Sequence, residues 1–248
     1  MRLKRLWEKL TELIFPHSIY CICCGNIIDE SRPYALCNDC MEHFRWANER
    51  TCSKCGKLLS ENNTKELCYN CQENKHYFDR GFTCAQYGVY EKKVIFNLKY
   101  KKKTYLSKII AEIMYDRMLI EEIKYDIVIP VPIHSKRLKK RGFNQAELIA
   151  RYFTRLEKTT LNSKYLIRTK QTDVSKKLNS EERKLNLINA FNINKYDKSD
   201  IKGKNVLVID DIYTTGATAD AISKILKNAG VNKIYFLSFV AGGDLIIH

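Results

Sequence analysis

Two adjacent carboxylates and a run of hydroxyl residues lie near the carboxyl end of this sequence. Asp210 and Asp211 follow the apolar residues 206–209, and the segment Thr-Thr-Gly-Ala-Thr occupies residues 214–218. Hydroxyls, backbone N–H groups and a helix N-terminus that meet at such a loop can bind a phosphate dianion. A phosphorylated sugar fits this pattern, because its phosphate can lie on the loop while its hydroxyls contact the two aspartates.

Cysteines form a direct repeat in the first third of the chain. Four Cys-x-x-Cys pairs are present, and the last two pairs repeat the first two with an offset of 31 residues, from Cys21 to Cys52. Each half has the form C-x2-C-x12-C-x2-C, and Gly25 and Gly56 follow the same cysteine in each half. Two thiolate pairs supply the four tetrahedral ligands that structural zinc prefers. Four thiolates leave no position for water, so we expect zinc to support folding and not catalysis.

The grouping of the cysteine pairs has two solutions. Sequential pairs would build one site from each half of the repeat, whereas interleaved pairs would build a cross-brace arrangement. In either case the predicted metal ligands are Cys21, Cys24, Cys37, Cys40, Cys52, Cys55, Cys68 and Cys71. Cys23 and Cys84 are left over, and Cys84 is predicted to be a small buried hydrophobic residue.

Composition excludes several classes of protein. The chain has 248 residues, 45% of them hydrophobic, which is too many for a disordered or low-complexity protein. The formal net charge is +15, which favours anionic partners. The first residues do not form a continuous secretory h-region, and no stretch reaches the ~18 apolar residues of a membrane span. We therefore expect a cytoplasmic protein with no stable membrane insertion, whose thiols are reduced or bound to metal.

The elements that must position these residues alternate between strand and helix after the cysteines. Predicted strands cover residues 82–90, 127–131, 165–167, 206–209 and 234–240, and predicted helices cover residues 91–120, 144–156 and 217–228. This order predicts an α/β fold with a mainly parallel sheet and helices on both faces, with ligands beyond the carboxyl ends of the strands. We divide the chain into an amphipathic helix (residues 1–20, helical over 2–15), a double zinc-knuckle module (21–80) and the α/β domain (81–248). Residues 132–142 are predicted to form a basic loop, and residues 168–180 a polar one.

The sequence also resembles known families. Residues 206–218 resemble the phosphoribosyl-pyrophosphate motif of type I phosphoribosyltransferases. Nearly the whole chain resembles the ComF family of competence proteins. The segments that carry this second resemblance are residues 13–16, the paired zinc knuckles, residues 87–103, Pro130-Val131-Pro132, the stretch 141–146 and residues 182–191.

The resemblance implies a chemistry. In these transferases, Mg²⁺-bound phosphoribosyl pyrophosphate loses pyrophosphate through an oxocarbenium-like state. Asp210 and Asp211 would bind the ribose hydroxyls, directly or through metal-bound water. The 5′-phosphate would be held by Thr214, Thr215, Gly216, Ala217 and Thr218, and the pyrophosphate by Arg137 and Arg141, with Lys139 and Lys140 as weaker candidates. The fold would also imply a cis peptide bond near Val131.

A second basic cluster interleaves cations with aromatic residues. It comprises Lys92, Lys93, Lys99, Lys101, Lys102 and Lys103, with Tyr100 and Tyr105 among them. Stacking aromatics and cations that pair with phosphates are typical of surfaces that bind single-stranded nucleic acid.

Three functional hypotheses follow. The first is a phosphoribosyltransferase with an unknown acceptor, which would act in DNA uptake during natural transformation as the family resemblance implies. The second is an adaptor of the uptake machinery that binds single-stranded DNA or a helicase, in which the transferase fold binds its ligand without turnover. The third is a regulator that senses phosphoribosyl pyrophosphate.

Overall fold

The computed structural model describes residues 19–170, 189–197 and 200–244. The predicted helix over residues 2–15 lies outside these ranges. So do most of the predicted polar segment 168–180 and residues 182–188 of the family resemblance. No helix in the described ranges is both long enough and apolar enough to cross a bilayer.

The strands form one five-stranded parallel sheet and one small antiparallel pair. They are β1 (Arg80–Gln86), β2 (Ile127–Pro130), β3 (Thr160–Leu161), β4 (Leu166–Arg168), β5 (Phe191–Ile193), β6 (Asn205–Tyr213) and β7 (Lys233–Ala241). The main sheet has the order β1-β7-β6-β2-β3, and every neighbouring pair in it is parallel. β4 and β5 pair antiparallel outside this sheet. The parallel sheet predicted from the alternation of strands and helices is therefore confirmed.

Helices cover both faces of the sheet. They are α1 (Asn38–His43), α2 (Tyr69–Glu73), α3 (Val89–Tyr100), α4 (Leu106–Leu119), α5 (Ser135–Arg141), α6 (Gln145–Glu157) and α7 (Ala217–Asn228). The side chains of β6 alternate between two cores: Leu207 packs in the core that contains α3, α4 and α6, and Val208 packs in the core that contains α7. This period of two explains why residues 206–209 of the central strand are all apolar, since both of its faces are buried there.

The cysteine-rich module packs directly on the sheet, one half on each face. Cys21 and Cys40 belong to the core of α3, α4 and α6, whereas Cys52 and Cys68 belong to the core of α7. The second half approaches β1 so closely that a Cβ atom on Gly56 would lie 2.7 Å from the Gly81 carbonyl oxygen. No Gly/Ser/Pro-rich linker precedes the α/β domain, and the module is accordingly docked on it.

Three expectations are wrong in detail. Strand β6 does not end before the acidic pair but continues to Tyr213, because its backbone stays paired with β7 as far as Ala241. The basic segment 132–142 is not a loop, since α5 forms within it. The His134 side chain caps that helix by accepting from the Lys136 N–H, and Gly142 ends it with φ +89°. All described peptide bonds, including those around Val131, are trans.

Candidate functional site

The acidic pair lies at the carboxyl end of β6, where cations and amides from two helices meet it. Asp211 is buried, and its carboxylate forms an ion pair with the Lys99 ammonium from the end of α3. The Gln145 amide, at the start of α6, donates to Asp211 Oδ1 at 3.2 Å. Lys99 therefore belongs to this site and not to the exposed basic cluster in which the sequence placed it.

Asp210 has a different environment from its neighbour. Burial raises the pKa of its carboxyl well above the ordinary value, and the adjacent charge of Asp211 raises it further, while the Lys99 charge opposes both. Arg168, at the end of β4, interacts electrostatically with Asp210. A carboxyl group with a raised pKa gains most from a ligand that brings positive charge or hydroxyl donors to it.

Arginines line one side of the acidic pair. The Arg141 guanidinium donates to Gln145 Oε1 and lies 6.0 Å from the centre of the Tyr100 ring. Burial lowers the pKa of Arg141, and the charge of Asp211 acts in the opposite direction. Arg137 is exposed on α5 but is close enough to Arg141 and Arg168 to interact with both electrostatically.

Lys139 and Lys140 are placed less favourably. Both are exposed on α5, and none of the contacts in the described ranges joins either of them to the acidic pair. The structure thus brings Arg141 near Asp211 and Arg168 near Asp210, places the exposed Arg137 beside these two arginines, and leaves the two lysines on the surface.

The hydroxyl-rich loop joins β6 to the N-terminus of α7. Thr214 and Thr215 are exposed, and Gly216 adopts φ +85° immediately before the first helical residue. A side chain at Gly216 would collide with the ring of His76, which lies 2.8 Å from the ideal Cβ position. The Tyr213 hydroxyl is buried with no hydrogen-bond partner in the described ranges. These residues provide hydroxyls and the positive end of a twelve-residue helix for an anion.

The second half of the cysteine-rich module holds this loop in place. The Asn70 amide donates to the Thr215 carbonyl oxygen at 3.1 Å. His76 Nδ1 lies 2.8 Å from Asp220 Oδ2, and the Tyr77 backbone N–H donates to the other oxygen of Asp220 at 3.0 Å. Since Asp220 belongs to the first turn of α7, the module contacts the helix end that would face a phosphate.

A cavity of about 210 Å³ lies between the module and the loop. Its lining comprises Lys57, Asn70, Thr214, Thr215, Gly242, Gly243 and Asp244. The site therefore has an acidic side, around Asp210 and Asp211, and a hydroxyl-rich side, which the module closes.

The eight predicted cysteine ligands form two clusters, one from each half of the repeat. Cys21, Cys24, Cys37 and Cys40 form the first cluster, and Cys52, Cys55, Cys68 and Cys71 form the second; in each, all sulfurs lie within 4.8 Å of one another. This spacing suits ligands about 2.3 Å from a common zinc centre. The structure thus has the sequential grouping, because each half folds back on itself between its own two pairs.

The chemistry of the second cluster also fits a metal. Hydrogen bonds from Cys55, Cys68 and Cys71 lower the pKa of the Cys52 thiol, whereas the pKa of Cys71 is raised, chiefly through its contact with Cys52. The thiols of this cluster therefore interact strongly with one another, and two of them, Cys55 and Cys71, resist loss of the proton without a metal. A Zn²⁺ ion would accommodate four thiolates, so the donor set is that of a structural zinc site.

Comparison with models of known families identifies the family of the chain. A model described as "Double zinc ribbon domain" matches residues 10–89, and one described as "PRTase ComF-like" matches residues 103–245. The second match covers more than half of the chain. The chain belongs to the ComF-like phosphoribosyltransferase family. The ComF family resemblance noted from the sequence is therefore confirmed, and with it the double zinc ribbon, whose two halves we call the first and second zinc ribbons.

Curated relatives of the chain carry names that refer to competence and to DNA utilization. The chain is 31% identical to Competence protein F of Haemophilus influenzae over 147 residues, which cover 57% of the chain and 63% of that protein. It is 27% identical to DNA utilization protein YhgH of Escherichia coli over 158 residues (62% and 68%), and 33% identical to Competence protein ComFC of Bacillus subtilis over 107 residues (43% and 40%). A hypoxanthine phosphoribosyltransferase from Staphylococcus aureus aligns with a TM-score of 0.36 at 16% identity, over 57% of this chain and 68% of its own.

Three residues of the candidate site are not predicted from the sequence. Lys99 lies in a run of lysines, Arg168 lies in a short strand far from the acidic pair in sequence, and Lys57 lies in a zinc ribbon. No spacing rule connects them with Asp210, because they reach the site only through tertiary packing. The local signal for Lys99 is its position within residues 87–103, one of the segments that carry the family resemblance.

Proposed function

We propose that the chain binds Mg²⁺-phosphoribosyl pyrophosphate at the carboxyl edge of its sheet. The observation that carries this proposal is the convergence of the Asp210–Asp211 pair with the loop at the N-terminus of α7. The first offers acceptors for two adjacent ribose hydroxyls, and the second offers hydroxyls and N–H groups for a phosphate. Arg141 interacts electrostatically with Asp211 and Arg137, and these two arginines would face the pyrophosphate.

Each group would have a defined task in loss of pyrophosphate. The carboxylates of Asp210 and Asp211 accept from the ribose hydroxyls and orient the sugar. Lys99 compensates the charge of Asp211 and holds its carboxylate in position. The guanidinium groups of Arg141 and Arg137 stabilise the negative charge that develops on the leaving pyrophosphate. Mg²⁺ bound with the substrate would add positive charge there.

The described residues of the site do not identify the acceptor of the phosphoribosyl group. The names of the ComF-like relatives support a role in DNA uptake during natural transformation or in DNA use. We therefore propose that the chain binds a ligand of the phosphoribosyltransferase type in that setting. Whether it also transfers the phosphoribosyl group is a separate question. An acceptor screen that records pyrophosphate release answers it.

Ligand-dependent thermal stability tests the binding proposal. At a ligand concentration one hundred times Kd, binding to the native state adds about 2.7 kcal/mol, which corresponds to a rise in Tm of about 5–10 °C. We expect this rise with Mg²⁺-phosphoribosyl pyrophosphate for the zinc-loaded wild type and for Asp29→Asn, the same substitution at an exposed position. Asp210→Asn should show a rise at least several degrees smaller. Equal shifts in all three proteins would contradict the proposed site.

A second candidate function, binding of single-stranded DNA, is favoured by an exposed aromatic surface. Phe96 and Tyr100 are 46% and 67% exposed, and their ring centres are 5.1 Å apart. Lys101, Lys102 and Lys103 follow at once and are all exposed. Exposed stacking rings beside cations are the elements of a single-strand platform.

Salt dependence tests this surface. Each phosphate contact on a single strand contributes about 0.7 to the slope of log K against log salt concentration. Replacement of Lys101, Lys102 and Lys103 by alanine should therefore reduce the slope by about 2. A matched triple variant on α5, Lys136→Ala/Lys139→Ala/Lys140→Ala, removes the same charge from another exposed site. If both variants lower the slope equally, the binding follows net charge and not this surface.

A further inference from the structure

The second zinc ribbon buries a lysine beside the hydroxyl-rich loop. Lys57 directly follows the knuckle glycine Gly56 and is only 5% exposed. Its ammonium lies 5.6 Å from the centre of the Tyr213 ring, and no carboxylate in the described ranges forms an ion pair with it. A largely buried lysine side chain without an ion-pair partner is costly, and a ligand that brings negative charge to it would compensate this cost.

The cavity next to Lys57 already contains the other parts of an anion site. Thr214 and Thr215 line it, as does Asn70, and the N-terminus of α7 begins two residues further on. The Asp244 carboxylate also lines the cavity, but its oxygens accept from three N–H donors of the zinc ribbon. These donors are the Ser60 backbone at 3.2 Å, the Asn63 amide at 2.8 Å and the Tyr69 backbone at 2.8 Å. Asp244 thus fastens the ribbon, whereas Lys57 has no such partner.

We propose that Lys57 is a binding residue for the phosphoryl group that lies on the loop of residues 214–218, so that the second zinc ribbon completes the phosphate subsite. This inference rests on the proposed sugar-phosphate function of the same loop. It gives the zinc module a role in recognition, since Gly56 and the knuckle fix the direction of Lys57. A phosphomonoester such as that of ribose 5-phosphate is the chemical group that fits.

Affinity for ribose 5-phosphate tests the inference in the full-length, zinc-loaded chain. Lys57→Met keeps the apolar stem and removes the charge, and Lys65→Met removes the same charge from an exposed position of the same ribbon. A hydrogen bond to a charged group contributes enough that Lys57→Met should bind at least tenfold more weakly, with Lys65→Met unchanged. Lys57→Arg keeps the charge and should bind better than Lys57→Met. Zinc content and the melting transition show that each variant is folded.

A second measurement uses only the wild type, so its result does not depend on whether a variant folds. Ribose 5-phosphate should slow reductive methylation of Lys57, followed by peptide mass spectrometry, and should leave Lys65 unaffected. Wild-type binding with no loss in Lys57→Met and no protection of Lys57 would overturn the inference and leave the proposed function intact. No binding of ribose 5-phosphate or phosphoribosyl pyrophosphate by the folded wild type would overturn both.

Discussion

Two glycines at equivalent positions of the cysteine repeat should respond very differently to the same substitution. Gly25 and Gly56 each follow the second cysteine of a knuckle, and their φ angles are +82° and +75°. An added Cβ at Gly25 would meet no atom within 4 Å. At Gly56 it would lie 2.7 Å from both the Gly81 carbonyl oxygen and the Phe82 Cα atom. Alanine therefore causes similar backbone strain at both positions, but only at Gly56 does its Cβ atom overlap with strand β1.

The expected loss of stability follows from these contacts. A left-handed conformation costs an L-residue about 1–2 kcal/mol, partly offset by about 0.4–1 kcal/mol because alanine restricts the unfolded chain. We expect Gly25→Ala to lower the free energy of unfolding by about 1 kcal/mol. Gly56→Ala adds an overlap with backbone atoms that cannot rotate away, and overpacking of this kind costs about 1–3 kcal/mol. Its total loss should be about 2–4 kcal/mol.

Thermal unfolding of the two zinc-loaded variants measures the difference. An additional loss of about 2 kcal/mol corresponds to a Tm about 4–8 °C lower for Gly56→Ala than for Gly25→Ala. Gly56→Ala should also weaken binding of ribose 5-phosphate, because Lys57 follows it directly. Equal Tm values for the two variants, each with full zinc content, would refute the tight docking of the second zinc ribbon on β1.

Three further predictions concern zinc, protonation and the ion pair of the site. Cys24→Ser should reduce the zinc content from two ions per chain toward one, whereas Cys23→Ser should retain two, as elemental analysis can show, because only Cys24 belongs to a four-sulfur cluster. Asp210→Asn should raise Tm more at pH 8 than at pH 5. The pKa of the Asp210 carboxyl is raised in the folded protein, so this group contributes stability while it is protonated. That contribution is lost as the pH rises from the ordinary pKa of an aspartate through the raised pKa. An equal rise at both pH values would contradict that assignment. Lys99→Met should lower stability at pH 7 by about 3–5 kcal/mol in denaturant titrations, because it leaves a buried carboxylate uncompensated, and Lys101→Met should change it little.

Much of the fold could be predicted because the relevant signals are local. The apolar run ending at Ile209 predicts a buried central strand, and α7 begins and ends where the sequence places it, after Gly216 and before Gly230. The equal spacing of the cysteine pairs predicts ligand sets of four sulfurs. These features depend on periodicity, turn chemistry and ligand geometry, all of which are written in consecutive residues.

The site was harder to predict because distant segments build it. The end of β6 was placed too early, since carboxylates are poor strand formers and only the register with β7 carries the strand past them. The helix over Ser135–Arg141 is not predicted because its basic residues show no apolar face. The His134 side chain caps its N-terminus, and this local hydrogen bond favours the helix. Lys57 and Arg168 reach the loop and Asp210 through packing of the zinc ribbon and of β4, which no local pattern encodes.

Calorimetric titration with Mg²⁺-phosphoribosyl pyrophosphate tests directly whether the chain binds this ligand at Asp210 and Asp211. The titration uses the folded, zinc-loaded wild type and the Asp210→Ala/Asp211→Ala variant, with zinc content and Tm recorded for both. We expect saturable binding with one site per chain in the wild type and its loss in the double variant. A wild type that shows no binding heat, or a double variant that binds with wild-type affinity, would contradict this expectation.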